Sequence, residues 1–369
     1  MKKLNLRMYA MVFALFCIWV IFTLVTDGLF LSGRNLFNLT RQAAVTAILA
    51  IGMALVIISA NIDLSVGYGA GLLGAVTAIL HVWWNLPVTL TLIIVICLGA
   101  FIGVIQGYLV GYLRIPAFIV TLGGFLVYRG LMLAVTKGET IALHDNWLKA
   151  IGTVYIPKAF GIYLLLFCII VFVLVYIRRL QKTTVQRTLK TELNYILISI
   201  LIWFIIIAFV LRINSYKGIP VLACIMFGLA FIVHFIANYS RFGRYVYAVG
   251  GNSDAAYLSG IDVKGITLRV FAVMGALMAI AGIVMTARLG SAGPEAGRLL
   301  ELEAIAACVI GGASLMGGRG TIFGAILGAF VMASLSNGMS MANMGPSWQD
   351  IITGTVLVAA VGFDMLSRK

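Results

Sequence analysis

The chain has 369 residues, 62% of them hydrophobic and 10% charged, with a mean hydropathy of +1.10. A soluble domain carries about 25% charged residues, so a water-soluble enzyme or regulator is excluded. The formal charge of +14 suggests nucleic acid at first sight, but the basic residues lie in short loops between apolar runs, which is a membrane pattern.

Met8–Thr26 follows Lys2, Lys3 and Arg7. It is long for a cleaved leader, and Thr23-Leu24-Val25-Thr26-Asp27 offers no small-x-small cleavage site, so it is expected to remain as the first span. Ala43–Trp84 runs 42 residues with one polar interruption, Asn61-Ile62-Asp63-Leu64-Ser65. A straight helix of that length would reach ~63 Å, about twice the hydrocarbon thickness, so the chain turns or the helix breaks near Asn61. Val88–Tyr112 and Pro116–Thr136 follow as spans, separated by a short turn at Arg114. Lys137–Phe160 is a long polar loop.

Gly161–Ile177 and Tyr195–Leu211 flank the most basic loop, 178–194, where Arg178, Arg179, Lys182, Arg187 and Lys190 meet a single acid, Glu192. Ile219–Ala237 is a span, 238–264 a polar loop and Gly265–Ala287 a span. Glu301–Met316 is short and opens on two acids, Glu301 and Glu303. A glycine turn, Gly317-Gly318-Arg319-Gly320, leads into Thr321–Ser340, and Asp350–Leu366 is the last span.

The expected fold is all-α: a polytopic membrane protein of about 10–12 transmembrane helices with broken or re-entrant segments. Residues 1–369 form one transmembrane domain. Twelve crossings with both termini on the same side put fifteen Lys/Arg on that side and nine on the other. The bias makes the terminal side cytoplasmic and places the 238–264 loop there.

Glycine organises the packing. Gly99, Gly103, Gly107 and Gly111 line one helix face, and Gly320, Gly324 and Gly328 line another. Such small faces let helices touch in lipid, either inside the bundle or as the seam of a homodimer. Leu73-Gly74-Ala75-Val76 and Leu327-Gly328-Ala329-Phe330 each follow a polar break, a faint internal repeat of the kind that brackets transporter sites.

The chemistry is defined mostly by exclusion. No Gly-Lys dipeptide occurs, so there is no phosphate-binding Walker loop, and the glycine-rich 311–320 stretch lacks the lysine it would need. Cys17, Cys97, Cys168, Cys224 and Cys308 all fall in apolar runs without metal or redox spacing. His81, His144 and His234 stand in separate segments, so no metal site and no catalytic residue is expected.

Ionisable residues within spans are the functional candidates. Asp63 either caps the next helix by accepting from Ser65 or Val66, lines a pathway, or carries protons. Arg129 and Arg269 lie near helix ends and can snorkel. Asn61, Gln106, Thr121 and Asn337 place neutral polar groups inside spans, suited to a neutral polar substrate or to inter-helix hydrogen bonds.

The polar island 250–261 carries helix signals at both ends. Gly250 and Gly251 are expected to break the preceding element, Asn252 or Ser253 to cap a short helix, and Asp254 to sit in its first turn. Gly260 suits a left-handed cap with Ile261 folding back on Ala256 or Tyr257. Ala256 and Gly260 share one face, as do Ala255 and Ser259, leaving a smooth surface that another protein can approach. Taken alone, this is also a description of an ordinary capped loop helix.

Asp254-Ala255-Ala256-x-x-x-Gly260 resembles the Glu-Ala-Ala-x-x-x-Gly signature of ABC-importer permeases, with Asp in place of Glu and without the Ile-x-Leu-Pro tail. Arg241–Asn252 resembles the ribose, xylose and galactose branch. Asn61-Ile62-Asp63-Leu64-Ser65-Val66-Gly67 is similar to the Gly-Ile-Asp-Leu-Ser-Val-Gly of ribose-type permeases. Ile115–Gly123 and Leu300–Gly320 also match that branch. The extra segment 161–211 reads as a two-helix insertion, as in xylose permeases.

The resemblance implies an inner-membrane permease subunit of a sugar importer, not an enzyme, most like a xylose permease and working by alternating access. It implies a cytoplasmic ATPase, holding ATP and Mg, that contacts Asn252, Asp254, Ala255, Ala256 and Gly260. It also implies an extracytoplasmic sugar-binding protein and a second permease copy. A proton-coupled transporter using Asp63, or a branched-chain amino-acid permease of the same superfamily, are the alternatives.

Overall fold

Apolar runs in lipid must satisfy every backbone N–H and C=O internally, and helices do this within one segment. The structure, a computed structural model, describes residues 6–143, 147–163, 165–166, 169–170, 203 and 205–366. The basic loop 178–194 and much of the insertion expected over 161–211 lie outside the described residues, as do His144 and Cys168.

The chain enters through α1 (Leu6–Val25), a 3₁₀ turn and α2 (Gly33–Ile58). Then come α3 (Val66–Ala78), widening into a π turn at Ile79–Trp83, α4 (Val88–Gly111) and α5 (Ala117–Thr136). Short elements follow: β1 (Ile141–Ala142), α6 (Trp147–Thr153), β2 (Tyr155–Ile156), α7 (Ile205–Tyr216) and β3 (Ile219–Pro220). The second half holds α8 (Val221–Tyr239), α9 (Arg241–Gly251), α10 (Ser253–Leu258), α11 (Val263–Leu289) and β4 (Ser291–Ala292). It ends with α12 (Leu300–Ile310), α13 (Ile322–Met341) and α14 (Pro346–Leu366).

Among the described residues, seven helices are long and apolar enough to cross a membrane: α2, α3 with its π turn, α4, α5, α8, α11 and α13. The twelve expected crossings also count α1, α7, α12, α14 and the run at 161–177, part of which is outside the described residues. The eleven residues of α12 rise only ~16 Å, about half a bilayer. The core lies along α2 and α11, while α4, α5 and α8 turn Phe101, Phe118, Leu126 and Phe231 outward as a lipid-facing skin.

Both glycine stripes close internal seams. A Cβ on Gly103 would meet the Phe271 carbonyl, one on Gly107 would meet Leu268 at 2.7 Å, and Gly99 and Gly275 abut across α4 and α11. Gly324 faces Gly311, and Gly328 faces Ala307, so α13 lies directly on α12 and its exit turn. Neither stripe is left on the surface to form a seam with a second copy.

Two breaks define the middle. α2 ends with Ala60 in the left-handed region (φ 62°), its N–H donating to the Ile57 carbonyl at 2.9 Å. α3 restarts only at Val66, level with the middle of α11, where Gly69 abuts Met278. The second break, Gly293–Leu299, descends from β4 to the start of α12, with Gly297 (φ 90°) and Leu299 (φ 62°) in left-handed conformations. The starts of α3 and α12 meet there: Gly67 abuts Gly297 and Glu301, leaving no room for a Cβ at either glycine. This close approach explains the two glycines.

The two ends of the bundle are distinct. At one end β1 pairs antiparallel with β4 and β2 with β3, and Arg41 donates to the Gly152 carbonyl at 2.6 Å and to Arg288 at 3.3 Å. At the other, the end of α2, the 311–320 turn and the 238–264 loop come together.

Candidate functional site

The loop arm is built from local capping chemistry. Ser240 Oγ accepts from Gly243 N at 3.0 Å to start α9, and Asn252 Oδ1 accepts from Ala255 N at 2.9 Å to start α10. Gly260 (φ 81°) ends α10, with its N–H bonded to the Tyr257 carbonyl and the Ile261 N–H to the Ala256 carbonyl. Asp254 lies in the first turn, and Asp262 then caps α11 through Gly265 N at 3.0 Å.

Two details differ from the sequence reading. Gly250 and Gly251 do not break the preceding element; they are the last residues of α9, and the break comes at Asn252. Ala256 is not on the outer face but buried at 4% exposure, packed in the core. The outward residues are Tyr257 and Leu258, 71% and 85% exposed, with Asn252, Asp254, Ala255 and Gly260 also exposed. The outer surface of α10 is therefore a bulky apolar knob rather than a smooth patch.

The arm is seated directly on backbone. A Cβ on Gly250 would collide with the Ile58 carbonyl and lie 2.9 Å from Gly318 N, and Gly318 N itself donates to the Ile58 carbonyl at 2.8 Å. Tyr247 donates its hydroxyl to the Gly320 carbonyl at 2.8 Å, and burial pushes that hydroxyl above its ordinary pKa, so it stays a donor. The helix that precedes α10 is thus fixed both to the end of α2 and to the glycine turn that follows α12.

Four of the five predicted polar residues meet at the first break. Asp63 Oδ1 accepts from Ser65 N at 2.9 Å and from Ser65 Oγ at 2.6 Å, as the capping reading expected, although Ser65 occupies the cap position itself. Gln106 Nε2 donates to Ser65 Oγ at 2.8 Å, and Thr121 Oγ1 to the Ile62 carbonyl at 3.3 Å. Asn61 Nδ2 donates to the Ser59 carbonyl at 3.0 Å. These bonds satisfy the backbone unwound between α2 and α3, which lipid would not. Asn337 is elsewhere, accepting from Asn35 Nδ2 at 2.9 Å.

A second group was not assembled by sequence reasoning. A cavity of about 500 Å³ is lined by Tyr68, Phe125, Arg129, Glu295, Arg298, Leu299 and Glu301. Glu301, in the first turn of α12, is 3% exposed and its Oε2 has no hydrogen-bond partner. Arg129 lies over the Tyr68 ring at 5.7 Å, and Arg298 pairs with Asp350 at 3.2 Å on the rim. The sequence signal was present but ambiguous: an arginine within a span and two acids opening an apolar run.

The chain is a multi-pass helical bundle, broken where two half-helices meet and carrying an arm at one end, and its likeness to transport permeases makes it a transport subunit rather than an enzyme. The chain belongs to the family described as branched-chain amino acid transport system / permease component, which it matches over residues 35–361. It is 44% identical over 374 residues to the xylose transport system permease protein XylH of Haemophilus influenzae, covering 100% of this chain and 99% of that protein. It is 42% identical over 370 residues to XylH of Escherichia coli K12, covering 100% and 94%. The ribose import permease protein RbsC of Haemophilus influenzae is 34% identical over 336 residues, covering 90% and 85%. No solved structure is significantly similar to the chain.

Proposed function

We propose that this chain is the inner-membrane permease subunit of an ATP-driven importer of a neutral pentose, xylose first among them. Full-length likeness to two xylose permeases supports the substrate. The observation that carries the mechanism is the seating of the α10 arm: an exposed knob joined, through Gly250 and Tyr247 of α9, to the end of α2 and to the glycine turn between α12 and α13. A cytoplasmic ATPase holding ATP and Mg docks on Asn252, Asp254, Ala255, Tyr257, Leu258 and Gly260, and its closure moves that arm. A sugar-binding protein delivers pentose to the opposite end, where the two strand pairs lie. Two permease copies form the pathway, both termini are cytoplasmic, and the cycle is alternating access with no bond made or broken in this chain.

The test is uptake into vesicles reconstituted with the ATPase and the binding protein. Xylose should accumulate only with ATP and should still do so when an ionophore collapses the proton gradient. Uptake that ignores ATP and stops with the ionophore would establish a proton-coupled carrier instead. Leucine uptake without xylose uptake would establish the amino-acid reading that the family's description carries.

A further inference from the structure

We infer that the cavity between α3, α5 and the start of α12 is the station at which the transported sugar is held, with Glu301 and Arg129 as hydrogen-bonding partners and Phe125 and Tyr68 as its apolar wall. This rests on the reading of the chain as a monosaccharide permease and names the site within it.

The Asp63 group is the weaker candidate because it is already occupied. Both Ser65 donors go to Asp63, Gln106 goes to Ser65, and Thr121 goes to the Ile62 carbonyl, so these residues satisfy one another and the unwound chain. Glu301 is the opposite case. It is 3% exposed, and Oε2 has no partner although it lies against Gly67. A buried carboxylate oxygen left unbonded is costly, and in a native protein it calls for something that completes it.

The position fits a station. The first turns of α3 and α12 start from opposite directions and meet at Gly67 and Gly297, and Tyr68 and Glu301 are the side chains next to that meeting point. Secondary transporters place their substrates where discontinuous helices meet within the membrane, and the same unwound geometry is present here. The volume of about 500 Å³ falls within the usual ~300–1,000 Å³ of small-molecule sites.

The chemistry selects a neutral polyol. Two guanidiniums, Arg129 and Arg298, and two carboxylates, Glu295 and Glu301, leave the lining formally neutral. Carboxylates only accept and guanidiniums only donate, so together they match hydroxyls that do both. Tyr68 and Phe125 stand edge to face with centroids 4.9 Å apart, which offers an apolar surface for the C–H face of a sugar ring. A branched-chain amino acid would need an apolar chamber for its side chain, and four of the seven lining residues, Arg129, Glu295, Arg298 and Glu301, are charged.

The experiment uses the complete transporter with its ATPase and binding protein, and compares wild type with Glu301→Gln, Arg129→Gln and Phe125→Ala. Xylose and ribose uptake are measured at sugar concentrations well below saturation, with ATPase co-purification as the check on folding. Each variant should co-purify with the ATPase; Glu301→Gln and Arg129→Gln should lose about tenfold of xylose uptake, the scale of one hydrogen bond to a charged group, and Phe125→Ala should lose several-fold through the missing apolar wall. The xylose-to-ribose ratio should also change, which a merely structural defect would not produce. Arg129 is exposed and Phe125 half-buried, so these two variants decide the matter even where Glu301→Gln fails to assemble. Wild-type uptake and an unchanged sugar ratio in both would overturn the assignment. A wild-type complex that imports no sugar at all would overturn the permease reading, and this proposal with it.

Discussion

Gly250 and Gly251 are adjacent, close the same helix and have ordinary backbone angles, yet their surroundings are opposite. A Cβ at Gly251 meets nothing within 4 Å, whereas one at Gly250 collides with the Ile58 carbonyl and lies 2.9 Å from Gly318 N. Both obstacles are backbone, so no side chain can swing aside. Gly→Ala gains roughly 0.5–1 kcal/mol of helix propensity at either position, and the comparison between the two cancels most of that gain. What remains is the overpacking cost, typically about 1–3 kcal/mol. That corresponds to between about fivefold and 150-fold in the population of the seated arm.

Gly250→Ala should therefore reduce ATP-driven uptake several-fold or more. The ATPase should still co-purify, because the knob at Tyr257 and Leu258 is untouched. Gly251→Ala should behave like wild type or be slightly more stable. The assay is uptake per assembled complex, read beside the thermal stability of the purified protein. Equal behaviour of the two variants would show that the α9 contact with Ile58 and Gly318 carries neither stability nor coupling.

Other outcomes follow from the same geometry. Leu258→Asp alters a fully outward side chain, so stability should hold within about 0.5 kcal/mol while ATPase co-purification and uptake are lost; retained assembly would remove α10 as the docking element. Asp63→Asn keeps an oxygen for both Ser65 donors and should preserve uptake within about twofold, whereas Asp63→Leu strands two buried donors at about 1–3 kcal/mol and should lower the yield of folded protein. Loss of all transport in Asp63→Asn with normal yield would instead give Asp63 a direct part in proton coupling or the pathway. A periplasm-active reporter fused after Glu139 should be active and one fused after Ser259 inactive; the reverse pattern would put α10 on the wrong side for an ATPase.

Composition and the lengths of the apolar runs were enough to establish an all-α membrane protein, because lipid leaves a spanning chain few other ways to satisfy its backbone. The caps of α10 were equally legible, since Asn252 and Gly260 act on atoms only a few residues away. The break near Asn61 followed from the length of the apolar run together with its single polar interruption. Contacts that depend on distant chain were not available from local pattern. A four-residue glycine period marks a face but not its partner, and the stripe on α4 proved to lie against Phe271 and Gly275 of α11. Gly250 looked like a helix breaker and is a contact point for Ile58; Ala256 looked like an outward small residue and is buried. Asn337 belonged on paper with Asn61 and Gln106, and it pairs with Asn35 instead. Tyr68, Arg129 and Glu301 come from three separate helices, and only the crossing of two broken segments brings their side chains around one cavity. Helix signals reach about one turn along the chain, while a site made by helix packing is set by which faces meet, and that is decided only when the whole bundle is assembled.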